Sequence, residues 1–187
     1  MRQELFPDFQ VILVPGLYDS GPGHWQTRWQ GAHPEFWRVT QDDWADPDLP
    51  AWAAQVDQVR RRDPRPALLV AHSFGCLAAI HSIAADPHGV AGAFLAAPAH
   101  PGRFGVSGLL PQTTVGCPTV VISSRNDPWM RADQAALWAR RWGSELVDAG
   151  AAGHINAESG LGDWPLGQER LQLLYDVAHN ERPALSA

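Results

Sequence analysis

The chain has 187 residues, 45% of them hydrophobic and 18% charged, with a formal net charge of −6. Those values describe one soluble globular domain over residues 1–187, long enough to bury a sizeable core. The acidic balance, with no basic run longer than Arg60-Arg61-Arg62, excludes a general nucleic-acid binder, and no apolar run is long enough to cross a membrane.

Gln10-Val11-Ile12-Leu13-Val14 is an apolar run without alternation, as in a strand buried on both faces of a parallel sheet. Pro15-Gly16 ends it, and a Gly-rich loop leads to a helix from about His24 to Gln30. Phe36 to Thr40 reads as a second strand at an edge. Asp48 is placed to cap a helix from about Pro50 to Arg62, so the arginine triplet reads as a solvated helix end. Ala67 to Ala71 is the third strand, followed by an Ala-rich helix to Ala85 and a fourth strand from Val90 to Ala97.

Pro98 to Val115 is long for a simple connection and is expected to lie over a site. Pro118 to Ser124 is the fifth strand, Ala132 to Trp142 a helix stopped by Gly143, and Glu145 to Asp148 the sixth strand. A last helix runs from about Gln168 to His179; residues 1–8 and 180–187 are expected to be flexible. Trp25/Trp29 and Trp138/Trp142 are each four apart, on one helix face, and read as packing pairs. Cys76 and Cys117 lack metal-ligand or paired redox spacing and read as small core residues. No leader-like segment is visible, so a reducing, cytoplasmic setting is expected. Alternating strands and helices predict a three-layer α/β domain with a six-stranded, mainly parallel sheet.

The third strand ends in Ala71-His72-Ser73-Phe74-Gly75. A Ser between small residues at the strand-to-helix junction is the pattern of a nucleophile elbow, with Ala71 where Gly is commoner. The plainer reading is a Ser that caps the helix. Two further residues fall at carboxyl ends of strands, where sites form in such sheets. Asp127 follows the fifth strand and His154 the sixth. A Ser hydroxyl needs an adjacent base, a His supplies one, and a carboxylate fixes its tautomer. Asp148 is the rival acid, being at a strand end nearer His154. Backbone N–H groups of Phe74 and of Leu17, the latter preferred to Gly16 by analogy, complete an oxyanion hole. His72 lacks room to act as the base of Ser73. His24 reads as a helix-start or pocket-lining residue, and the other histidines as structural or solvated. No cluster has metal spacing, so neither metal nor cofactor is expected.

These stretches, with Val14-Pro15-Gly16, Gly23-His24-Trp25, Asp43-Trp44, Pro47-Asp48, Ser124-Arg125-Asn126-Asp127-Pro128 and Ala152-Gly153-His154-Ile155-Asn156, resemble a known family. The chain is similar to small serine hydrolases of the α/β-hydrolase fold, including the retinoblastoma-binding protein 9 and YdeN-like proteins. The resemblance covers nearly the whole chain. It implies a minimal α/β-hydrolase fold with sheet order 2-1-3-4-5-6 and no large lid, and a Ser73–Asp127–His154 triad acting on small esters, and on amides as a further substrate class. A monomer or homodimer is expected. The alternatives are an aminopeptidase-like amidase and a protein-interaction module on a hydrolase scaffold.

Overall fold

The structure is a computed structural model and describes residues 4–181. Six strands form one parallel sheet: β1 (Gln10–Val14), β2 (Trp37–Arg38), β3 (Ala67–His72), β4 (Val90–Ala96), β5 (Thr119–Ser123) and β6 (Glu145–Asp148). Their spatial order is β2-β1-β3-β4-β5-β6, as expected. Five α-helices connect or follow them: α1 (Trp25–Ala32), α2 (Leu49–Arg60), α3 (Phe74–Ala85), α4 (Ala132–Trp142) and α5 (Pro165–Asn180).

The unbroken apolar strands follow from burial on both faces. Leu69 and Ala71 of β3 enter one core with residues of α2, α3 and α4. Leu68 and Val70 enter the other with residues of α1 and α5. Each fully buried Leu or Val contributes roughly 1.5–3 kcal/mol, so neither face of β3 is free to meet water. Trp25 and Trp29 pack at 4.6 Å between ring centroids, and Trp138 and Trp142 at 5.4 Å, so both pairs are packing pairs. Among the described residues no helix is long and apolar enough to cross a membrane.

Caps fix the helix ends. The Asp48 carboxylate accepts the Ala51 N–H at the start of α2, and Gly143 stops α4 with φ 72°. Chain order runs from β1 outward to β2, then back across β1 to β3. The connections after β1 and β3 therefore diverge, and their carboxyl ends leave a crevice between them.

Four local expectations are corrected. β2 pairs over Trp37 and Arg38 only, because Phe36 N–H turns back to the His33 carbonyl. Arg60 is buried, not solvated: its guanidinium pairs with Asp57 at 2.8 Å and Asp86 at 3.3 Å. α5 starts three residues early, at Pro165, after Trp164 takes a left-handed φ of 50°; Pro at a first helical position was the signal for this. Residues 4–8, expected to be flexible, include the buried Phe6, which stacks on Phe36 and Tyr175. Residues 1–3 and 182–187 of the tails expected to be flexible lie outside the described residues.

Candidate active site

Ser73 stands between β3 and α3 with φ 54° and ψ −123°. A non-glycine residue there carries strain of order 1–3 kcal/mol. The surroundings hold it: Ser73 N–H donates to the Ala96 carbonyl, and its own carbonyl accepts from Cys76 and Ala99. Close approach of α3 to the end of β1 demands Gly75, where a Cβ would lie 2.4 Å from the carbonyl oxygens of both Val14 and Pro15. Ala71, at the first elbow position, is fully buried and fits. The capping reading fails, since the Ser73 side chain makes no cap hydrogen bond.

The hydroxyl instead faces an imidazole. His154 Nε2 lies 2.9 Å from Ser73 Oγ. On the far side of the ring, Nδ1 lies 2.9 and 3.0 Å from the two carboxylate oxygens of Asp127, whose side chain is only 2% exposed. Asp127 Oδ1 also accepts the Trp129 N–H at 2.8 Å. An Nδ1–H donated to a carboxylate leaves Nε2 with a lone pair for the Ser hydroxyl. Asp148 points elsewhere, to the Arg125 guanidinium and the Gly150 N–H.

The loop carrying His154 is tied on every side. Ser124 Oγ accepts the Ala152 N–H and donates to Asn126 Oδ1, which also accepts the Gly153 N–H. Trp25 Nε1–H donates to the carbonyl of the buried Ile155. His72 Nε2–H donates to the His154 carbonyl at 2.9 Å. Ser124, Asn126 and His72 are thus positioning residues that sequence reasoning left without a role. The Ser-x-Asn pair beside the strand end was the available signal, since such side chains bind nearby backbone N–H groups.

Leu17 follows β1 and lines the cavity that holds Ser73. Among the described residues the N–H groups of Leu17 and Phe74 donate to no protein acceptor. Phe74 begins α3, so its free N–H lies at the positive end of that helix. No group of His, Cys, Asp and Glu side chains among the described residues is arranged to ligate a metal.

Residues 11–173 match the model of the family described as serine hydrolase. The chain belongs to the serine hydrolase family. It is 40% identical to a protein described as a YdeN-like hydrolase from Pectobacterium atrosepticum, over 92% of this chain and 93% of that one, with a TM-score of 0.89. The ydeN gene product of B. subtilis is similar at 18% identity, over 90% and 99% of the two chains, with a TM-score of 0.71. A protein described as an α/β hydrolase from Agrobacterium tumefaciens shares the fold at 13% identity, over 94% and 90%, with a TM-score of 0.66. No curated protein sequence matches the chain.

In this serine hydrolase two further imidazoles stand behind His154. The ring centroids of His72 and His154 are 4.9 Å apart, and those of His24 and His72 4.6 Å. Burial, then the neighbouring histidines, hold His72 well below the ordinary value. Burial, then Arg38, push His24 down to about 4. His24 both caps α1, through Nδ1, and lines the cavity. Burial pushes the Cys76 thiol well up, which keeps it inert.

A stability consequence follows from His24. Its folded pKa lies below the 6.5 of the unfolded chain, so the unfolded state binds the proton first. Stability is therefore present above pH 6.5 and falls as pH drops toward 4, by up to about 3 kcal/mol from this residue. Thermal unfolding across that range is expected to show the fall, by roughly 6–12 °C. His24→Asn, which keeps a capping acceptor, is expected to flatten the profile; an unchanged slope counts against a neutral buried His24.

Proposed function

We propose that the chain hydrolyses small carboxylic esters through an acyl-enzyme on Ser73. The observation that carries this reading is the unbroken hydrogen-bonded path from Asp127 through His154 to Ser73. Ser73 Oγ attacks the carbonyl carbon while its proton passes to His154 Nε2. Asp127 holds the ring and stabilises the imidazolium. The carbonyl oxygen becomes an oxyanion facing the N–H groups of Leu17 and Phe74; each such donor is worth on the order of 2.7–4 kcal/mol in the transition state.

The tetrahedral intermediate then breaks its bond to the leaving oxygen, which takes the proton from Nε2. Water attacks the acyl carbon, gives its proton to the same nitrogen, and the Ser73 oxygen leaves with that proton restored as the acid departs. His154 is the imidazole hydrogen-bonded to Ser73 Oγ, and His72 supports it by donating Nε2–H to the His154 carbonyl. Free cysteines at positions 76 and 117 support a reducing, cytoplasmic setting.

A fluorophosphonate probe tests the nucleophile. Wild type is expected to label stoichiometrically, and Ser73→Ala, with its fold intact, to label not at all. Labelling that survives the substitution rejects Ser73.

A further inference from the structure

The site has two compartments, and their chemistry differs. Ser73 opens into a cavity of about 220 Å³ whose apolar walls are Leu17, Ala99, Phe104 and Trp129, with Asp19, His24 and His72 also in its lining. Phe104 comes from the long segment after β4 and packs edge-on against Phe74 at 5.0 Å, which fixes that wall. The volume is below the roughly 300–1,000 Å³ of pockets that enclose drug-sized ligands.

A second cavity of about 420 Å³ lies across His154, sharing that residue, Trp129 and Asn156 with the first. Its other walls carry the polar side chains of Asn126, Glu158 and Ser159, beside Pro128 and the small residues Ala151, Ala152 and Gly153. The Oδ1 atoms of Asn126 and Asn156 are occupied by backbone N–H groups of the protein. Among the described residues their Nδ2 amides have no acceptor, so both remain free to donate. The Glu158 carboxylate in its lining disfavours an anionic alcohol part.

The direction of proton transfer assigns the compartments. His154 Nε2 hands its proton to the leaving oxygen, so the departing alcohol lies on the His154 side. The acyl part lies with Ser73 and the apolar walls. Resting on the serine-hydrolase reading above, we infer that the preferred substrates are short-chain acyl esters of neutral, hydroxylated alcohols. The acyl chain fills the smaller apolar cavity, and the alcohol's hydroxyl groups meet the free amides of Asn126 and Asn156.

The test crosses acyl length with alcohol polarity, using the purified full chain and the glycerol 1-esters and propyl esters of butyric and octanoic acid. Two added hydrogen bonds are expected to raise kcat/KM for glycerol butyrate about ten-fold over propyl butyrate. Propyl butyrate is expected to exceed propyl octanoate about ten-fold, the longer chain meeting fixed walls. Ala151 is exposed on the cleft wall, and Ala151→Phe is expected to bring the glycerol-to-propyl ratio near one. Equal rates on the two butyrates, or faster octanoate turnover, with Ser73 still labelled by the probe, overturn this inference and leave the hydrolase reading standing. No turnover of any ester together with no labelling overturns both.

Discussion

Asp127→Asn is expected to lower kcat by about 10⁴-fold while leaving the fold and substrate binding intact. The geometry gives the reason. The Trp129 N–H donates to Oδ1 at 2.8 Å, so an amide at position 127 keeps its oxygen there. Its NH₂ then occupies the Oδ2 position, 3.0 Å from His154 Nδ1. That NH₂ faces Nδ1–H donor to donor, the retained oxygen, 2.9 Å from Nδ1, is shared with the Trp129 N–H, and the carboxylate charge is gone, so the tautomer with Nδ1 as acceptor is favoured. Nε2 takes up the hydrogen and no longer accepts from Ser73 Oγ, 2.9 Å away. The nucleophile is left in place without a base. Ester turnover at saturating substrate checks this, with Asp148→Asn as the comparison. Asp148 holds Arg125 and the Gly150 N–H at the surface, and its substitution is expected to change kcat by less than about three-fold. A larger loss at position 148 than at 127 reverses the assignment of the acid.

Gly75→Ala is expected to destabilise the protein by more than about 3 kcal/mol, a fall in Tm of roughly 10 °C. Its new Cβ would meet the carbonyl oxygens of Val14 and Pro15 at 2.4 Å. Both are backbone atoms at the end of a buried strand, so neither moves cheaply. Relief requires α3 to back away from β1, which also shifts the Leu17 N–H relative to Ser73. Activity is therefore expected to fall along with Tm. Gly31→Ala in α1 is the control, since nothing lies within 4 Å of its added methyl and Ala favours a helix by about 1 kcal/mol. Thermal melts of the two variants decide; a Gly75→Ala Tm within 2 °C of wild type removes the close approach from the account.

Sequence pattern reached the parallel sheet covered on both faces because each inner strand is an unbroken apolar run, as double-sided burial requires. The three side chains that the structure brings together each follow a strand, Ser73 after β3 and Asp127 and His154 in the loops after β5 and β6. What sequence pattern missed depends on contacts between distant segments. Ser124 and Asn126 look like turn residues until the chain brings Ala152 and Gly153 onto their oxygens. His72 read only as a residue too close to Ser73 to serve it, whereas its ring reaches across to the His154 carbonyl. Arg60 belonged, by charge alone, in solvent; Asp57 one turn back in its own helix and Asp86 at the end of α3 permit its burial. The long segment from 98 to 115 showed no periodicity, yet it forms short 3₁₀ turns at Pro101–Phe104 and Ser107–Leu109 and supplies Ala99 and Phe104 to the cavity.

Rapid acid quenching during turnover of an ester with slow deacylation, followed by mass spectrometry of the digested protein, reads the covalent step itself. One acyl group on the Ser73 oxygen, absent from Ser73→Ala, is the predicted result. Turnover with the acyl group found on another side chain, or with none bound at any time, would contradict it.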